Sequence, residues 1–236
     1  MRPTRSSVAI VAALVAVVVA STAQGAPTVR PWLAGHGAWN TYSMQDVNRD
    51  VVGEFNDFFA GSGLSMNEIH NGFGLGFEAG VDLGVVGFGV GYERLRADTK
   101  TAMELSEVLE GTPVEFDYKV PATAFRALVE YRLPTRGPLG VRLGVAGGIV
   151  SLAGGVGASA AGVGVQSLDY TGKGRLFEAY GSGEWWAAPR FALSASLGYR
   201  HARVTEPELD GEKLTGFSVD YSGVVVRAGF KLALAK

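Results

Sequence analysis

From Phe73 to Leu83 the chain alternates without a break. Phe73, Leu75, Phe77, Ala79, Val81 and Leu83 are apolar, while Gly72, Gly74, Gly76, Glu78, Gly80 and Asp82 are glycine or acidic. An extended chain points successive side chains to opposite faces, so the pattern makes one greasy face and one small, polar face. The segment is as long as the roughly 9–11 residues with which a tilted strand crosses a bilayer's hydrocarbon core.

The same code recurs along the chain. Val86, Phe88, Val90 and Tyr92 alternate with Gly87, Gly89, Gly91 and Glu93, and Phe125, Ala127, Val129, Tyr131 and Leu133 with Arg126, Leu128, Glu130 and Arg132. Further strands are read around Leu139–Ile149, Phe177–Trp185, Phe191–Tyr199 and Val224–Leu234, with a weaker first strand near Trp32–Tyr42. The predicted fold is all-β: an eight-stranded antiparallel up-and-down transmembrane β-barrel with long extracellular loops. Connection lengths add an independent signal. Short connections near Asp82–Val85, Leu133–Leu139 and Ala187–Arg190 separate long ones at Ser43–Asn71, Arg94–Thr123, Val150–Lys173 and His201–Phe217. Short periplasmic turns and long outer loops alternate in this way in outer-membrane barrels. Parity slips between Tyr118 and Thr123 and between Tyr221 and Gly223, where bulges are expected, the first helped by Pro121.

A soluble eight-stranded cup would reverse the faces, with apolar residues inside and charges in water. Here the aliphatic and aromatic set faces one way, and Glu78, Glu93, Arg126, Glu130, Arg142, Glu178, Arg200 and Arg227 face the other. Packing those charges inside an eight-stranded barrel makes sense when lipid is the outer solvent.

These strands, this loop layout and the last strand, with Gly229, Leu232 and Leu234 in alternation, resemble the OmpA/OmpX-like family of small outer-membrane barrels. The likeness spans about Trp32 to Leu234. It implies an integral outer-membrane protein in contact with outer-membrane lipid and lipopolysaccharide. It also implies a C-terminal strand recognised by the barrel-assembly machinery, although this chain ends in Ala235-Lys236 where the family usually ends in an aromatic residue.

The beginning of the chain agrees with export. Arg2 and Arg5 precede an apolar run from Val8 to Ala20, and small residues follow, so residues 1–23 read as a signal peptide with cleavage after Ala23 or after Gly25. The run is well short of the ~20 residues of a spanning helix. Residues 24–236 then form one barrel domain. Without Arg2 and Arg5, nineteen basic residues face twenty-three acidic ones, which offers no footprint for nucleic acid. With no cysteine, disulfides and thiolate metal sites are excluded.

Parity places Glu78, Asp82, Glu93, Glu130, Glu178 and Glu184 inward, together with Arg126, Arg132, Arg142, Arg200, Arg227 and Lys231. An eight-stranded lumen is just wide enough for side chains to fill, and unpaired buried charges cost several kcal/mol each. The expected lumen is therefore closed and salt-bridged, with inward glycines making room for the arginines. The rival is a polar track: a narrow channel or carrier for small solutes or apolar ligands. Outward Tyr131, Trp185 and Phe191 near the short turns, and Phe73, Tyr92, Phe125 and Tyr199 near the long loops, suggest two interfacial girdles.

The first long loop changes period. Met44, Val47, Val51, Phe55, Phe58 and Phe59 recur at three- and four-residue steps, with Asp46, Asn48, Arg49, Asp50, Glu54 and Asp57 opposite. That predicts an amphipathic helix whose apolar face covers the barrel mouth, lies on the membrane, or meets a surface partner. As a gate it would serve the channel reading. A shorter helix is expected at Met103–Leu109.

For catalysis the candidates are few. His36, His70 and His201 have no serine at a revealing spacing, and none forms a His-x-His or His-Glu-x-x-His metal pattern. Gly87-Phe-Gly89-Val-Gly91 lacks a following helix and a P-loop lysine, so it reads as the inner face of a strand. The expectation is a non-enzymatic barrel without cofactor or metal, acting structurally or through its surface loops.

Overall fold

The computed structural model describes residues 29–61, 65–105, 112–160 and 163–234. The expected leader and the last two residues lie outside that set. The strands in chain order are β1 (Val29–Thr41), β2 (Asn71–Leu83), β3 (Val86–Leu95), β4 (Asp98–Leu105), β5 (Thr112–Lys119), β6 (Ala122–Leu133) and β7 (Leu139–Ala160). They continue with β8 (Val163–Ala188), β9 (Phe191–Thr205), β10 (Glu208–Leu209), β11 (Glu212–Lys213), β12 (Ser218–Asp220) and β13 (Gly223–Ala233).

Eight of them close a ring in the order β1-β2-β3-β6-β7-β8-β9-β13, with β13 pairing back onto β1. Following paired residues from Asp82 through Gly87, Glu130, Gly144, Tyr180, Gly198, Val225 and Asn40 returns to β2 at Gly72, a stagger of ten residues. Such a stagger tilts the strands by roughly 40°, and closure leaves no free edge within the ring. The three short connections, Gly84–Val85, Pro134–Pro138 and Pro189–Arg190, lie together at one mouth. The first of them turns through Gly84 at φ +65, which glycine adopts without strain.

The outside of the ring is apolar. Leu33, Phe73, Leu75, Phe77, Val90, Leu143, Val145, Leu193, Leu197 and Val226 are all exposed. A continuous greasy band of this kind is far larger than the patches water-soluble monomers tolerate, and lipid is the solvent that suits it. Tyr131, Trp185 and Phe191 mark its end near the short turns, and Trp39, Phe73, Tyr92, Phe125, Phe177 and Tyr199 its other end. β1 looked weak because its outward positions include Gly35 and Gly37. The rings of Phe230 and Phe73 cover those two glycines, where an added Cβ would sit 3.0 Å from each ring.

Beyond the upper girdle the face code inverts while strand parity is kept. On β7, Val150 and Leu152 point inward and are buried, as do Tyr170 and Leu176 on β8 and Ala202 and Val204 on β9. Outward positions there carry Lys173, Arg175 and Arg203. The expected loop at Val150–Lys173 is thus corrected: β7 and β8 run on as strands to Ala160 and from Val163. The expected helix at Met103–Leu109 is corrected as well, because β4 runs to Leu105 and pairs with β5, which pairs with β7 beyond the end of β6. Residues 106–109 lie outside the described set. The two parity slips are breaks between elements: β5 ends at Lys119 before β6 begins at Ala122, and β12 ends at Asp220 before β13 begins at Gly223.

Candidate functional site

The lumen has two zones. In the lower and middle zone, charged side chains cross from wall to wall. Glu93 on β3 accepts from both sides: Arg200 donates through Nη2 at 2.9 Å, Arg227 through Nε and Nη2 at 3.1 and 3.0 Å, and Arg126 through Nη1 at 3.0 Å. Glu178 receives the same three arginines, Arg227 at 2.6 Å, Arg200 at 3.1 Å and Arg126 at 3.2 Å. Arg126 also reaches Glu78. Three carboxylates and three guanidiniums therefore balance, and both carboxylates at the centre are shared among forks whose planar geometry suits them.

Nearer the short turns, Arg142 grips Asp82 with two bonds of 2.8 Å and lies 3.3 Å from Glu130 and 2.7 Å from Glu184. Lys231 pairs with Glu184 at 2.8 Å and stands 4.0 Å over the Trp32 ring, whose Nε1 donates to Asp82 at 3.1 Å. Tyr180 donates to Glu130 at 3.0 Å. The inward glycines act as sockets. A Cβ at Gly76 would meet His36 at 2.4 Å, at Gly144 the Tyr180 ring at 2.4 Å, and at Gly91 the Arg126 side chain at 3.0 Å.

Of the twelve charged residues predicted for the lumen, eleven enter this network. Arg132 does not. It stands half-buried at the short-turn rim, with no ion pair among the described residues. His36, by contrast, projects inward from β1, with Nε2 3.6 Å from Glu93.

The upper zone is apolar. Tyr42, Met44, Val47, Leu95, Tyr118, Val120, Val150, Leu176, Val204 and Tyr221 pack into one cluster inside the extended strands. Tyr42 and Tyr221 meet edge to face at 5.5 Å, as do Tyr118 and Tyr170 at 5.9 Å. Tyr221 donates to the Val120 carbonyl at 2.5 Å. Burial raises the hydroxyls of Tyr42, Tyr118, Tyr170 and Tyr221 above the ordinary phenol range.

The first-loop helix sits over this cluster. It is a π-helical segment, Val47–Gly53, that runs into a short α-helix, α1 (Glu54–Phe58). The wider turn shifts the phase. Met44, Val47 and Val52 are buried and Val51 packs against the cluster, whereas Phe58 is 83% exposed. The predicted single stripe of Met44, Val47, Val51, Phe55, Phe58 and Phe59 is therefore split into a buried part and an outer aromatic group. In that group the Phe55 and Phe58 rings both pack on Phe59, at 4.6 and 4.9 Å.

Asn48, expected on the polar face, is also buried. Its amide bonds both backbone groups of Ile69, at 3.1 and 2.8 Å, and Asn56 repeats the clamp on Met66 at 3.1 and 2.7 Å. Neither clamp was visible in the sequence, because both depend on the π-turn phase. Asp46 accepts from Ser218 at 2.5 Å, and Arg203 donates to the same hydroxyl at 2.7 Å, which latches the helix start to the last loop.

The remaining histidines sit apart from the network. His70 pairs with Glu68 at 3.0 Å, and His201 Nδ1 lies 3.1 Å from Ser222 Oγ. That serine is one the spacing did not reveal. Its Oγ also accepts from the Ala202 amide at 3.1 Å, so it ties the end of β9 to the start of β13. Among the described residues, no group of three or more His, Asp or Glu side chains is arranged to hold a metal.

No family model matches this chain, and no curated protein matches it by sequence. Solved structures do. The outer-membrane protein OprG from Pseudomonas aeruginosa is similar at 10% identity with a TM-score of 0.50, covering 90% of this chain and 99% of that one. Neisserial surface protein A is similar at 13% identity and a TM-score of 0.45, over 86% and 95%. Ail, the attachment invasion locus protein of Yersinia pestis, is similar at 14% identity and a TM-score of 0.41, over 88% and 100%. With its closed ring, its lipid-facing band and its polar interior, this chain has the fold of the small eight-stranded outer-membrane β-barrels.

Proposed function

We propose that the protein is a non-enzymatic barrel with a closed lumen, serving the envelope structurally and meeting partners through its outer loops. The observation that carries this reading is the network centred on Glu93 and Glu178, whose arginines come from β6, β9 and β13 and so tie opposite walls together. The apolar cluster beneath the loop helix supports it, because water and ions avoid such a stretch. The exposed ring of Phe58 favours a surface contact for the loop helix. Lipopolysaccharide around the band, and an assembly machinery that reads β13, are the further partners of this reading.

A narrow channel or carrier gated by the helix is the rival, and conductance decides between them. Refolded mature protein, its insertion checked by heat-modifiable gel migration, is expected to be silent in a planar lipid bilayer. Reproducible current steps from inserted protein would overturn the closed-lumen reading and make the charged zone a solute path.

A further inference from the structure

Below the charged network, at the mouth ringed by the short turns, lies a cavity of about 340 Å³. That volume is at the low end for small-molecule sites. Its walls combine the indoles of Trp32 and Trp186 with prolines of the β6–β7 and β8–β9 turns, and its charged lining is Arg30, Arg132, Asp82 and Lys231.

Two of those charges are already spent. Asp82 is held by both ends of the Arg142 fork, and Lys231 by Glu184. Arg30 and Arg132 have no carboxylate within ion-pair distance among the described residues. The adjoining cluster holds Asp82, Glu130 and Glu184 against Arg142 and Lys231, so it contributes one excess negative charge. Two free guanidiniums against that excess give the lining and its adjoining cluster together one net positive charge.

From this arrangement we infer that the mouth is a binding site for a small organic monoanion, a carboxylate on a flat apolar body. The carboxylate lies against Arg30 and Arg132, which can bond it in the two-point geometry guanidinium favours. The body packs against the tryptophans and prolines. Water weakens such a pair, so binding draws on both guanidiniums together and on packing of the flat body against the indoles. The site shares Asp82 and Lys231 with the network, whereas the two guanidiniums that take the ligand stand outside it.

The test is calorimetric titration of the refolded full-length mature barrel, in a non-ionic detergent, with 2-naphthoate and its neutral counterpart 2-naphthamide. One saturable site for the acid is expected, with the amide at least about tenfold weaker. Arg132→Gln and Arg30→Gln are each expected to weaken the acid by about ten- to hundredfold, as loss of a charge-assisted bond does. Both residues lie outside the plug network, and heat-modifiable migration verifies that each variant folds. Should one fail, the other still decides the matter. Partition of naphthoate without saturation, equal affinity for the amide, or unchanged affinity in the folded variants would each overturn the site.

Discussion

The two halves of the lumen obey opposite rules on the same strands. Between the girdles β7 puts Arg142 inside and Leu143 and Val145 outside; above them it puts Val150 and Leu152 inside, and β8 puts Lys173 and Arg175 outside. Lipid rewards an apolar exterior, and the interior must then carry whatever polar groups can satisfy one another. Water rewards the reverse, so the part of the barrel that rises beyond the membrane folds as a soluble barrel does. The soluble-cup alternative thus describes the upper half of this molecule, and the membrane reading the lower half. The plane where the code flips coincides with the aromatic ring of Trp39, Tyr92, Phe125, Phe177 and Tyr199.

The lower half should break most severely when its charge balance is disturbed. Glu93 is completely buried and meets Arg126, Arg200 and Arg227. Glu93→Gln leaves three guanidiniums sharing Glu178 and Glu78 alone. Removing one partner of a buried pair costs about 3–5 kcal/mol, and that loss is expected in urea titrations of the refolded barrel, read by gel migration. A loss below about 1 kcal/mol would mean that water reaches the network and that the lumen is not dry.

The upper half should yield more gently and locally. Asn48→Ala removes both bonds to Ile69 and leaves that buried backbone unpaired, a cost of about 1–3 kcal/mol confined to the cap. Limited proteolysis should then cut within the first loop of the variant, while the membrane-embedded ring keeps its heat-modifiable migration. Global unfolding of Asn48→Ala would show that cap and ring form one cooperative unit, and the division into two zones would lose its energetic meaning.

Parity alone located all the network charges because alternation is strict where one solvent is lipid and the other face is a packed lumen. It was silent where the code inverted. An apolar residue at Val150 breaks an apolar-outside alternation and so reads as the end of a strand, yet the strand continues with its inward side now greasy. The cap was half legible. Met44 and Val47 are where a 3.6-residue period puts them, but the π-helical turn sent Val52 and Asn48 inward and Phe58 outward. Nothing local in Val47–Gly53 announces that turn; burial over the cluster and the Asn48 clamp hold it. Arg132 followed parity, but the barrel ended before a partner came within reach.

Alkaline pH offers the mildest way to separate the zones. Tyr118 and Tyr221 are buried in the cap, and burial holds their hydroxyls protonated well above the ordinary value of 10.0. A raised folded-state value means that the native state keeps protons that the opened state releases. The stabilisation is therefore complete below about pH 10 and is lost progressively as pH climbs above it. Absorbance at the phenolate band should show the cap tyrosines ionising only as near-UV circular dichroism collapses. The lower ring keeps its continuous strand pairing, so far-UV dichroism and gel migration should hold while the cap opens. A single phenolate step with no change in near-UV signal would place water among the cap tyrosines and remove the contrast between the halves.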